Sequence, residues 1–160
     1  VTSLNISKGG IPKRPVHAVA IHGGGLEGDG HNHVKHYRPE QAVSLQDMEI
    51  LENLHQEGYA LSAGMTGENI NVRGVHVNAL PIGTRLIFEN GVQIEVTRKR
   101  PPCYVLDAID PRLKKAIVGR CGVYAKVLQP GLVSVGETIT KKISRMPESR
   151  AGEYVTDAVC

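Results

Sequence analysis

Tryptophan is absent, and Phe88 is the single phenylalanine; with five tyrosines, aromatics make up only 4% of the 160 residues. A core here cannot rest on rings. It must rest on Val, Ile and Leu, a composition that favours strands. Cysteine is scarce as well. Cys103, Cys121 and Cys160 stand at irregular spacing with no C-x-x-C pair, which argues against a disulfide framework and a structural zinc knuckle. No apolar run approaches the ~20 residues needed to span a bilayer, so no membrane partner is expected. Lys8, Lys13 and Arg14 interrupt the opening segment, so no secretory leader is expected and the reading is cytoplasmic and reducing. The net charge of +3 is too small to argue for a nucleic-acid partner.

Glycine and proline are abundant by comparison, at eighteen and nine residues. They punctuate the chain into many short elements, as in a β-rich fold. Residues 2–7 and 15–22 read as strands separated by a Gly-, Pro- and Lys-containing loop. Residues 22–40 read as a long glycine- and histidine-rich loop. From Ser44, apolar residues at Leu45, Met48, Leu51 and Leu54 recur at helical spacing. Ser44 is the expected cap and Gly58 the stop. A short strand is expected within residues 69–73. Asn90-Gly91 between two alternating apolar runs predicts a hairpin over 84–97 with a type I′ turn. Asp110-Pro111 opens a second helix reaching about Val118. Strands 122–128 and 132–139 follow. One domain over residues 1–140 is expected, with about eight strands and two or three short helices. A polar tail over 141–160 is expected to be loosely held.

Cys103 follows Arg98-Lys99-Arg100-Pro101-Pro102. Neighbouring cations favour the thiolate, and two prolines end a strand stiffly. A fixed soft donor in an electropositive setting suits a metal ligand; a buried cysteine acting as a small hydrophobe is the alternative. Cys121 reads as core or as a redox partner of Cys103, and Cys160 has no assigned role. The basic run, with Arg112, Lys114, Lys115 and Arg120 after it, is either a solvated face or an anion pocket. His22, His31, His33 and His36 with Asp29 could bind zinc or iron, line a substrate site, or simply lie on the surface. The turn from Gly64 to Asn69 could cradle an anion with its backbone amides, with Glu68 as an alternative general acid or base; it could equally be an ordinary turn.

Several stretches together resemble the MOSC domain, named after the C-terminal part of molybdenum cofactor sulfurases. They are Gly25-Leu26-Glu27-Gly28-Asp29 with His31 and His33, Arg38 to Leu45, and Gly67-Glu68-Asn69-Ile70 with Val72 and Gly74. Glu95-Val96-Thr97 leading to Pro102-Cys103, then Gly119 to Ala125 and Gly131 to Gly136, complete the set. The resemblance covers roughly residues 2–140. It implies a mainly β, barrel-like fold with a pocket at one end, holding a molybdenum–pterin cofactor (molybdopterin). By position Cys103 is the implied metal ligand and catalytic residue. Arg38, Thr66, Asn69, Arg100 and Arg120 are implied for the phosphate and pterin edges.

Three functions stay open at this point. The first is a molybdenum-dependent oxidoreductase acting on N-hydroxylated substrates. Neither an aminotransferase-like domain nor an iron–sulfur cysteine set occurs in these residues, so a reductase needs a protein electron donor. The second is a non-catalytic carrier or sulfur-transfer module, working with a partner in cofactor biosynthesis. The third is a metallohydrolase built on the histidine loop.

Overall fold

The computed structural model describes residues 1–30 and 38–143. Its elements in chain order are β1 (Ser3–Ile6), β2 (Arg14–Val16), β3 (Ala18–His22), β4 (Gly25–Leu26), β5 (Val43–Asp47), α1 (Met48–Gln56), β6 (Ile70–Val72), β7 (Arg85–Phe88), β8 (Gln93–Lys99), α2 (Leu113–Ala116), β9 (Val123–Gln129), β10 (Gly131–Ser134) and β11 (Ile139–Lys142). The fold is mainly β. Eight strands form one mixed sheet in the order β11-β7-β8-β9-β5-β6-β1-β2, and β10-β3-β4 form a second. Only the β5–β6 pair is parallel; the other ladders are antiparallel. The large sheet runs from β11 to β2, and among the described residues no pairing joins these ends, so no closed barrel is found.

The largest departure from expectation lies at β5. Residues 43–47 are a fully buried strand, and α1 starts only at Met48. Leu45 therefore belongs to the sheet core, although its spacing to Met48 matches a helix. Ser44 does not cap the helix; its hydroxyl and amide bond Asn69 instead. Asp47 holds the N-cap position but gives α1 no side-chain bond. Its carboxylate accepts the Val77 and Asn78 amides at 2.8 and 3.0 Å, tying down the turn Val77–Ala79. Gly58, at φ +104°, follows the helix end as expected.

Residues 15–22 are two strands rather than one: β2 joins the large sheet and β3 the small one, with the break at His17. The β7–β8 hairpin forms as expected, but its turn is not type I′. Phe88 pairs with Val92, the Gly91 amide bonds the Phe88 carbonyl, and only Gly91 has positive φ (+99°). That is a three-residue loop with a type I turn and a left-handed glycine. The second helix shrinks to one turn, Leu113–Ala116, preceded by an unforeseen 3-10 turn, Tyr104–Ala108. Strands β9 and β10 follow one another but enter different sheets. β11 pairs with β7 as far as Lys142, inside the segment expected to be a tail. The rest of that tail lies outside the described residues.

Two apolar clusters result. The larger joins the sheets, with Leu4, Leu45, Ile70 and Ile94 from the large one and Ile21 and Val133 from the small one. The smaller packs Leu51 and Leu54 of α1 against Leu106, Leu113, Ile117 and Cys121. The segments between these clusters form the walls of the site.

Candidate functional site

A cavity of about 210 Å³ opens between the loop before β2, the Asp29–Gly30 turn, the segment from Arg38 into β5, the Thr66–Asn69 loop, the chain following β8 and the start of β9. Arg38, Thr66, Asn69, Arg100 and Cys103 all line it, so five of the six residues singled out by sequence come together. Arg120 does not line it. Its guanidinium bonds Glu57 at 2.7 and 3.0 Å and the Ala116 carbonyl at 2.6 Å, bridging α1 and α2.

Arg100 owes its direction to an irregularity in the sheet. Val96 pairs with Ala125 but Arg98 with Tyr124, so Thr97 is an extra residue in β8. A one-residue slip flips every later side chain to the other face. Arg100, whose amide bonds the Gly122 carbonyl, thus lies on the face of Tyr124 rather than that of Val123 and Ala125. Its guanidinium sits 5.7 Å from the Tyr124 ring centre. It donates to the Cys121 carbonyl at 3.2 Å and the Thr66 carbonyl at 3.0 Å. Its Nε is buried with no hydrogen-bond partner. Among the described residues no carboxylate forms an ion pair with it. Burial works against its charge, but Cys121, Tyr124 and Glu68 outweigh this and hold its pKa above the ordinary arginine value.

A second cation, Lys13, was not foreseen. Its ammonium lies 2.6 Å from Asp29 Oδ2, with side-chain exposures of 14% and 4%. Burial pushes the Lys13 pKa down, and Asp29 opposes that shift. Asp29 also accepts the Ser7 amide and one Asn69 Nδ2 hydrogen, both at 2.9 Å. The other Nδ2 hydrogen goes to the Asn5 carbonyl, while Asn69 Oδ1 accepts from Ser44. Asn69 therefore lines the cavity with its amide already occupied, and it holds the wall together. Glu68 lies beneath, fully buried. It accepts the Gly64 amide at 2.8 Å, Asn71 Nδ2 at 2.9 Å and the Thr66 hydroxyl at 2.6 Å. Gly67 shows why this loop needs glycine. At φ +91° its added Cβ would stand 3.1 Å from Ile11 and 3.7 Å from the Arg100 guanidinium.

Cys103 sits where the chain leaves β8, at the start of the Tyr104–Ala108 turn. It is half-buried on the cavity wall and disulfide-bonded, so any ligand role belongs to its reduced form. Cys121 is a free thiol, 3% exposed, packed in the smaller apolar cluster and also reaching the cavity. Burial pushes its pKa up, against the pull of Arg100. His22 lies exposed on β3 and its Nδ1 accepts the Gly24 amide. His31, His33 and His36 lie outside the described residues. Among the described residues no group of three or more His, Cys, Asp or Glu is placed to hold a metal ion.

Sequence reasoning missed Lys13 and Tyr124. Alternation in Val123-Tyr124-Ala125 could have placed Tyr124 opposite the core-facing residues. Nothing in the loop sequence could have brought Lys13 to Asp29, since that contact depends on how two loops meet.

The MOSC domain family model matches residues 32–140, more than half of the chain. The chain belongs to the MOSC domain family. Solved structures share the fold. YiiM from Geobacillus stearothermophilus is 26% identical, with a TM-score of 0.73 over 89% of this chain and 74% of its own. YiiM from Escherichia coli is 22% identical, with a TM-score of 0.71 over 91% and 70%. YuaD from Bacillus subtilis is 20% identical, with a TM-score of 0.71 over 86% and 91%. No curated protein matches this MOSC chain in sequence. Among its described residues no helix is long and apolar enough to cross a membrane.

Proposed function

We propose that this MOSC domain binds a molybdenum–pterin cofactor in the cavity, with reduced Cys103 as the sulfur ligand. The observation that carries the reading is Arg100: a guanidinium on the cavity wall, stacked on Tyr124, with a buried orphan Nε and no carboxylate partner among the described residues. Unpaired cationic donors of this kind suit an anion. Lys13 lies on the same wall with its charge met by Asp29, and Arg38 adds positive charge at an exposed position. Gly67 lies against the guanidinium, where an added Cβ would stand 3.7 Å from it, so any side chain there would crowd it. At about 210 Å³ the cavity is smaller than the ~300 Å³ of ordinary small-molecule pockets. It suits the charged end of the cofactor, with the remainder reaching the rim.

When bound, the cofactor supplies a redox-active metal able to take part in oxygen removal from an N-hydroxylated substrate. The chain's own residues bind and orient it. Arg100 neutralises the anionic end, the Thr66–Asn69 loop forms the floor, and Pro101-Pro102 stiffen the approach to Cys103. A second reading, a carrier or sulfur-transfer module in cofactor biosynthesis, draws on the same site, because exposed rim residues such as Arg38 leave the cofactor reachable by a partner. The test is protein purified under reducing conditions from a molybdate-fed host. Molybdenum and oxidised-pterin fluorescence near one per chain support the reading; neither signal removes it. Turnover of an N-hydroxylated base with an electron donor then selects the oxidoreductase. Transfer of the cofactor to an apo-enzyme without turnover selects the carrier.

A further inference from the structure

The Thr66 hydroxyl is committed in one direction. Glu68, fully buried, takes that proton on Oε2 at 2.6 Å while its Oε1 accepts Gly64 N–H and Asn71 Nδ2. Both Glu68 oxygens are thus acceptors in this network. The Thr66 hydroxyl therefore donates inward, and what remains is acceptor capacity. No described group donates to it. Thr66 lines the cavity, and its own carbonyl holds the Arg100 guanidinium at 3.0 Å. Thr66 and the Arg100 guanidinium thus border the same cavity, beside Gly67, where an added Cβ would stand 3.7 Å from that guanidinium.

We propose that Thr66, polarised by Glu68, makes the cavity select an oxyanion that still carries a proton, of the hydrogen-phosphate class, over fully deprotonated tetrahedral anions such as sulfate. Arg100 attracts both kinds of anion. Against a bare oxygen the Thr66 acceptor meets another acceptor; against P–OH it receives a hydrogen bond. An unsatisfied or opposed buried polar group changes affinity by about tenfold or more. Glu68 acts here as a positioning residue, since it touches no ligand. The inference rests on the proposed cofactor site and implies that the cofactor's phosphate monoester, whose second pKa is about 6, is held there in its singly protonated form. It is tested without molybdenum, so either idea can fail alone.

The probes are inorganic phosphate and sulfate, titrated into the full chain by calorimetry at neutral pH and matched ionic strength. The wild type binds phosphate at least about tenfold more tightly than sulfate. Glu68→Gln inverts the Thr66 hydroxyl, because the new amide donates to it, and the preference falls or reverses in favour of sulfate. Thr66→Val weakens phosphate and leaves sulfate unchanged, while Thr66→Ser keeps the wild-type preference. Thr66→Val covers the case in which Glu68→Gln does not fold. Equal binding of the two anions by wild type, binding of neither, or an unchanged preference in Thr66→Val overturns the proposal.

Discussion

Removing the Asp29 carboxylate is the sharpest test of how the cavity wall is built. Asp29 is 4% exposed and accepts from Lys13, the Ser7 amide and Asn69. Asp29→Ala leaves three donors without a partner, one of them an ammonium that is itself only 14% exposed. Breaking a buried ion pair from one side costs about 3–5 kcal/mol. The two orphaned amides would each add ~1–3 kcal/mol if they found no water. Lys13 borders the cavity, so water reaches part of the group and the sum is not realised. The expected loss is about 3–5 kcal/mol, a large share of the ~5–15 kcal/mol that holds a domain together. Lys13→Met should cost less, about 1–2 kcal/mol, because Asp29 keeps two amide donors and the methionine stem fills the same space. The double variant should be less damaging than the sum of the two by ~1–3 kcal/mol, since the second change removes a charge already stranded by the first. Urea titration of the four proteins at neutral pH reads all of this from the midpoints, provided the slopes agree. A cost below about 1 kcal/mol for Asp29→Ala, or strict additivity in the cycle, would refute the reasoning.

Three further outcomes are expected. Gly122→Ala should lose at least about 2 kcal/mol in thermal or urea unfolding, because φ is +86° and the new Cβ would stand 2.0 Å from the Leu45 carbonyl oxygen; a neutral effect would show that β5 and β9 are not in the described register. The Asp110 carboxyl, held down to about 2 chiefly by its bonds from Arg112, should titrate far below the usual 3.8 in carbon-detected NMR. Because its folded pKa is depressed, the stabilisation it gives the start of α2 is present above 3.8 and fades as pH falls through about 2; an ordinary titration midpoint would contradict the contact. Cys121, whose thiol burial pushes to a higher pKa, should resist iodoacetamide at neutral pH until the protein is unfolded; labelling as fast as in urea would place it outside the core.

Much of the site was legible because its residues announce themselves locally. A cysteine behind two prolines and a basic run, and a glycine turn ending at Asn69, stand out from chain neighbours, while their roles at the site came from the family resemblance; both stretches line the cavity. The misreadings share one physical cause: long-range bonds that override local pattern. Leu45 and Met48 keep helical spacing across a strand–helix junction, and only the pairing of β5 with β9 and β6 decides that residues 43–47 extend. Asn90-Gly91 signals a hairpin, yet the Phe88–Val92 pairing lengthens the loop by one residue and changes its turn type. Arg120 looked like a site cation from its place in the chain. Its carboxylate partner, Glu57, is 63 residues away, out of reach of any local signal. The bulge at Thr97, which turns Arg100 into the cavity, likewise shows no mark in the sequence of β8.

The proposed cofactor site turns on which thiol would meet the metal. Two cysteines border the cavity: Cys103 on its wall and Cys121 behind it in the apolar cluster. Wild type, Cys103→Ser and Cys121→Ala, each purified with reductant from a molybdate-fed host and checked for fold by circular dichroism, should be assayed for molybdenum per chain. The prediction is a loss of most of the metal in Cys103→Ser and its retention in Cys121→Ala. A folded Cys103→Ser protein carrying as much molybdenum as wild type would contradict it.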